Sequence, residues 1–77
     1  MKKSDFMKEL AELLEIDDQL QLETNLKDYD EFDSMAIMSL VAFVHKKFGK
    51  QFNARQLNQV DTVESLVDLI GLDCFSD

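Results

Sequence analysis

Phe32-Asp33-Ser34-Met35 sets a serine hydroxyl, with a carboxylate just before it, at the head of the most apolar stretch of the chain. Two kinds of chemistry suit that pair. The ordinary one is structural: Asp or Ser ahead of an apolar run caps a helix by accepting from the amides of its first turn. In the other, the Ser34 hydroxyl carries a phosphodiester. A helix start offers unpaired N–H groups and the positive end of the helix dipole, and both favour an attached phosphate there. Asp33 could then help hold the Mg²⁺ used by a transferring enzyme, because Mg²⁺ takes few carboxylates together with phosphate oxygens. The tetrapeptide alone leaves both readings open.

Other reactive groups are sparse. His45 is the only histidine; it lies near the end of a helical run beside Lys46 and Lys47 and reads as an exposed helix-terminus residue. Cys74 stands alone, so no internal disulfide or cysteine metal site can form. The acids Asp28, Asp30, Glu31 and Asp33 cluster as calcium ligands do. A calcium loop starting at Asp28 would need Gly at its sixth position and Glu at its twelfth, where Asp33 and Ser39 stand; no dedicated metal site is expected. Nucleophilic catalysis needs a base beside the nucleophile, and none is near in sequence. The chain is therefore expected not to be an enzyme.

Four helices must position Ser34. Residues 4–15 place Phe6, Leu10, Leu13 and Leu14 on one face, with Met7 at its edge and Ser4 or Asp5 as the expected cap. Residues 16–33 show no sustained helical period. Ile16, Leu20, Leu22 and Leu26 are spaced like plugs of a long ordered loop, with one helical turn near Leu26 to Tyr29. Residues 34–48 form the central helix, capped by Ser34 or Asp33 and stopped by Gly49, with His45, Lys46 and Lys47 at its negative end. Residues 54–59 make a short helix behind Phe52. Residues 62–70 turn Val63, Leu66, Val67 and Ile70 inward; this helix begins at Asp61 or Thr62, Asp61 and Glu64 having capping-box spacing, and ends at Gly71. Residues 1–3 and 72–77 are expected to fray. The fold class is all-α: a small four-helix bundle, three main helices plus one short one, with a long ordered loop between the first and second.

Composition agrees with that plan. Seventy-seven residues allow one domain, 1–77, and folding at this size buries only roughly 60% of the unfolded surface. Hydrophobic residues make up 45% and charged residues 31%, with no Pro and two Gly, which disfavours disorder and an all-β fold alike. The net charge of −8 argues against nucleic acid and anionic membranes as partners and in favour of basic proteins. Charge is uneven, however: residues 1–33 carry net −7, residues 34–53 net +3 with no acid, and residues 54–77 net −4. The longest strictly apolar run, residues 40–44, is far too short to span a bilayer, and no signal-peptide apolar region follows Met1. A cytoplasmic monomer without membrane insertion is expected.

Taken together, these features resemble the acyl carrier protein family. The family pattern of Asp-Ser-Leu before a helix ending in Phe-Gly, then a Thr-Val-x-x-Leu segment, is similar to Asp33-Ser34-Met35, Phe48-Gly49 and Thr62-Val63-Glu64-Ser65-Leu66. The resemblance runs from Phe6 to Ile70 and implies a four-helix bundle. It implies that Ser34 is the attachment site of 4′-phosphopantetheine, delivered from coenzyme A by a phosphopantetheinyl transferase, with Asp33 assisting. The arm's thiol would hold acyl groups for acyl-loading and acyl-processing enzymes. Asp28, Asp30 and Glu31, with Met35, Met38 and Lys46, are candidates for partner recognition, and Ile37, Met38, Val41 and Phe52 for lining an acyl groove. Two departures stand out. Met35 replaces Leu, a volume-conserving change. The central helix shows Ala36, Ser39, His45, Lys46 and Lys47 where general fatty-acid carriers usually present acids, which points to a specialised fatty-acid, polyketide or related pathway with a dedicated partner. The alternatives are an aminoacyl or peptidyl carrier, and a helical adaptor in which Ser34 is only a cap.

Overall fold

The computed structural model describes residues 1–76 and contains four α-helices: α1 (Lys3–Leu14), α2 (Ser34–Phe48), α3 (Ala54–Asn58) and α4 (Val63–Ile70). Two single 3-10 turns, Leu26–Asp28 and Leu72–Cys74, complete the order. The all-helical bundle of three main helices and one short one is the architecture that the apolar periodicity implies. Its core joins Phe6, Leu10 and Leu14 of α1, Ile37, Leu40 and Val44 of α2, Leu57 of α3, and Val63, Leu66, Val67 and Ile70 of α4. Each helix thus buries one stripe, and among the described residues no helix is long and apolar enough to cross a membrane.

The long loop is stitched rather than loose. Ile16, Leu20, Leu26 and Phe32 are buried in the common core. Main-chain bonds tie its middle to the start of α4: the Leu26 amide donates to the Asp61 carbonyl (2.7 Å), Val63 to Thr24 (3.0 Å) and Glu64 to Leu22 (2.9 Å). An antiparallel bridge pairs Asn25 with Thr62 in the same region. The expected turn near Leu26 is present, with the Asn25 side chain accepting from the Lys27 amide. Buried backbone groups that lack helical partners are satisfied this way, which is what a loop crossing a core requires.

Helix boundaries differ from expectation at both ends of α1, at the end of α3, where Gln59 is the C-cap and not a helical residue, and at the start of α4. Neither Ser4 nor Asp5 caps α1; the helix starts earlier, at Lys3, with the Phe6 amide donating to the Lys2 carbonyl (3.0 Å) and no side-chain cap. Its end falls one residue early. Glu15 takes the left-handed conformation (φ 58°), and the Ile16 amide reaches back to the Ala11 carbonyl (2.9 Å), which closes the helix and drops Ile16 into the core. At α4 the cap is Thr62, whose hydroxyl accepts from the Ser65 amide (3.1 Å). The Ser65 hydroxyl accepts from the Asp61 amide (3.1 Å) and donates to the Thr62 carbonyl (2.7 Å). Ser65, not Glu64, thus reaches back over the start of the helix, and the expected Asp61–Glu64 capping box does not form.

The expectation of frayed ends is also corrected for the described residues. The Ser76 amide donates to the Met1 carbonyl (2.9 Å), so the two ends of the chain hold one another. Phe75 is buried, with its ring 5.3 Å from that of Phe6 and 5.4 Å from that of Phe48. Phe43 joins the same cluster 6.1 Å from Phe6. A short tail without helical period is held because one aromatic ring completes a cluster drawn from α1 and α2. The part of that expectation concerning Asp77 lies outside the described residues.

Candidate functional site

Asp33 is the N-cap of α2 and Ser34 its first helical residue. The Asp33 carboxylate accepts from the Ala36 amide (2.9 Å), while its carbonyl accepts from the Ile37 amide (3.0 Å). That settles the cap between the two candidates and leaves Ser34 free of the task. Ser34 is exposed, and among the described residues no side-chain hydrogen bond engages its hydroxyl. The amides of Ser34 and Met35 have no acceptor within the helix, as at any helix start. At the far end Gly49, in the left-handed region (φ 68°), donates to the His45 carbonyl (2.9 Å) and stops α2.

A groove of about 370 Å³ opens beside Ser34 between the start of α2 and α3. Phe32, Ile37 and Met38 form its apolar side, and Ala54, Arg55 and Asn58 of α3 face them. Of the four groove candidates, Ile37 and Met38 are therefore at the site. Val41 and Phe52 do not line it; both are half-buried and pack against the core, Val41 one turn further along α2 and Phe52 before the α3 cap. Sequence reasoning missed Phe32, Ala54, Arg55 and Asn58 as walls. The capping-box spacing of Asn53 and Gln56, whose reciprocal bonds are 2.8 and 3.0 Å, marks where α3 begins, but nothing in it says that α3 turns towards Ser34. An accessible serine hydroxyl, an adjoining apolar trough and a guanidinium on its rim fit an attached phosphopantetheine.

The surroundings divide by charge. Asp28, Asp30 and Glu31 are exposed on the loop leading to Ser34. Tyr29 among them donates to Asp18 (3.1 Å). That bond, partial burial and the negative charges of Asp18, Glu31 and Asp28 hold its hydroxyl pKa above the ordinary tyrosine value. Beyond Ser34, Met35 and Met38 are 78% and 62% exposed, unusual for large apolar side chains. Lys46 and His45 are exposed on the same helix, whereas Lys47 is drawn back to Glu9 of α1 (3.2 Å) and Ala36 is partly packed on the core. The candidates Met35, Met38 and Lys46 thus lie on accessible surface, and the basic patch is smaller than the sequence alone suggests.

Residues 4–70 match the family model described as "Phosphopantetheine attachment site". The chain is also 32% identical over 54 residues to the acyl carrier protein of Coprothermobacter proteolyticus, a match spanning 70% of this chain and 66% of that protein, just under two thirds of its length. No solved structure gives a significant match. With the match covering all four helices and the loop that holds them, the chain belongs to the phosphopantetheine-binding acyl carrier protein family, whose cofactor is covalently attached phosphopantetheine.

Proposed function

We propose that the chain is a non-catalytic carrier in which Ser34 bears the 4′-phosphopantetheine arm. The observation that carries this reading is the division of labour at the start of α2: Asp33 caps the helix, and the neighbouring hydroxyl of Ser34 stays exposed and unengaged. When bound, the arm supplies a terminal thiol that holds an acyl group as a thioester. Ser34 provides the hydroxyl oxygen for the phosphodiester, and Asp33 places a carboxylate beside it that can share a Mg²⁺ ion with the phosphate oxygens of coenzyme A during transfer. Phe32, Ile37 and Met38 offer an apolar trough to the arm and its cargo.

Residues 1–77 act as a single unit in this reading, a cytoplasmic monomer. His45 lies eleven positions along α2 from Ser34, about 16 Å at the rise of an α-helix, so the lone imidazole is out of reach of that hydroxyl. Partners are a phosphopantetheinyl transferase, drawn by Asp28, Asp30 and Glu31, and acyl-loading and acyl-processing enzymes that meet Met35, Met38 and Lys46. An exposed α2 face that ends in His45 and Lys46 and carries no acid supports a dedicated enzyme set in a specialised fatty-acid, polyketide or related pathway. The test is intact-protein mass after incubation with coenzyme A, Mg²⁺ and a broad-specificity transferase. Wild type gains one phosphopantetheine and Ser34→Ala gains none; an unchanged wild-type mass with several transferases would leave Ser34 a plain surface residue.

A further inference from the structure

The groove beside Ser34 contains a charge that its apolar side does not account for. Arg55 is the only arginine of the chain and the only cation from residue 54 onward. It is exposed on the rim facing Phe32 and Ile37, and no acid among the described residues pairs with it. Asp33, the one carboxylate lining the same groove, is turned to the Ala36 amide instead. The backbone under Arg55 is firmly placed: Leu57 of α3 is fully buried, and the Asn53–Gln56 pair closes the start of that helix. An anchored stretch of backbone thus presents a guanidinium on the wall of a trough that Ser34 also lines.

A phosphodiester on Ser34 adds a negative charge next to that of Asp33, and the two repel. Arg55 is the cation lining the groove that can offset it, and its planar fork matches two phosphate oxygens at once. We propose that Arg55 seats the phosphodiester of the prosthetic group and so turns the root of the arm into the groove over Ile37 and Met38. Asn58, three residues on and on the same wall, offers an amide to the amide groups further along the arm. The contact rests on Ser34 being the attachment site. It gives Arg55 a positioning role: the arm leaves the protein surface in one direction rather than swinging freely from its serine.

The test uses the full chain, loaded by transferase and coenzyme A and confirmed by mass, followed by phosphorus NMR. The reference is the same loaded chain unfolded in denaturant. In folded wild type the phosphorus resonance is displaced from the reference and relaxes with the protein. Arg55→Ala moves it most of the way back, and Arg55→Lys, a point charge without the fork, falls between. Raising salt to about 1 M, where charges are screened within about 3 Å, reduces the wild-type displacement and leaves Arg55→Ala unchanged. A melting temperature that is higher for loaded wild type than for loaded Arg55→Ala, with the unloaded forms alike, supports the same contact. Fully loaded wild type and Arg55→Ala with matching phosphorus spectra would overturn the Arg55 contact alone. Absence of the mass increment on Ser34 would overturn the attachment reading and this contact with it.

Discussion

Asp33 has two separable tasks, and two substitutions distinguish them. Its carboxylate caps α2 through the 2.9 Å bond from the Ala36 amide, and its charge sits beside the Ser34 hydroxyl. Asp33→Ala removes the cap, at a cost of about 1 kcal/mol, together with a favourable charge–dipole interaction of about 0.3 kcal/mol at an exposed helix start. For a domain of this size that lowers the melting temperature by about 5–10 °C. Asp33→Asn keeps an equally good capping oxygen and loses only the charge, so its melting temperature falls by no more than about 2 °C. Loading by a transferase follows the charge instead of the cap: both variants accept phosphopantetheine slowly, and by a similar factor. Melting followed by circular dichroism and loading followed by intact mass provide the two readouts. Equal stability of the Ala and Asn variants would refute the cap, and wild-type loading of Asp33→Asn would refute any role for the charge.

Two further outcomes test the fold and its electrostatics. Phe75→Ala opens a void between the rings of Phe6 and Phe48 and costs about 3 kcal/mol, a large share of the stability of so small a domain, read as a shift in the urea midpoint with an unchanged slope; a shift equivalent to less than about 0.5 kcal/mol would mean that the tail is loose after all. Tyr29, the only tyrosine, titrates above the ordinary value in the folded protein because its hydroxyl donates to Asp18. The protonated form is thus the one that folding favours. Its stabilisation is complete below the unfolded tyrosine pKa of about 10 and fades as pH rises through the higher folded value. Tyrosinate absorbance checks this, with Asp18→Asn expected to bring the titration back towards the ordinary value.

How much of this was legible in the sequence depended on whether the signal was local. α2 could be read closely because its signals lie within a few residues of its ends: Asp33 ahead of an apolar run, three basic residues before Gly49. The plugs Ile16, Leu20, Leu22 and Leu26 point to a loop tied to the core, and all but Leu22, which is half-buried against it, are buried there. The bridge from Asn25 to Thr62 was not legible, because main-chain pairing leaves no mark on side-chain type. The burial of Phe75 is not legible for a similar reason: it comes from Phe6 and Phe48, far along the chain, while the short tail around it has no helical period. The site divides the same way. Asp33 and Ser34 stand out as a pair within four adjacent residues, but only the family resemblance singles out Ser34, and with it Ile37 and Met38 as groove candidates. Arg55 and Asn58 reach the same groove only through the packing of α3 against α2, so no pattern around Ser34 points to them.

The central claim is that one particular hydroxyl carries the arm, and the chain offers competitors in Ser4, Ser39, Ser65 and Ser76. Ser65 is committed to the Asp61 amide and the Thr62 carbonyl, and Ser39 lies further down α2. The most direct measurement is fragmentation mass spectrometry of the loaded wild-type chain. The account predicts the whole phosphopantetheine increment on the fragment bearing Ser34, with unmodified mass at the other four serines. An increment mapped to any of those, or a loaded Ser34→Ala chain, would contradict it.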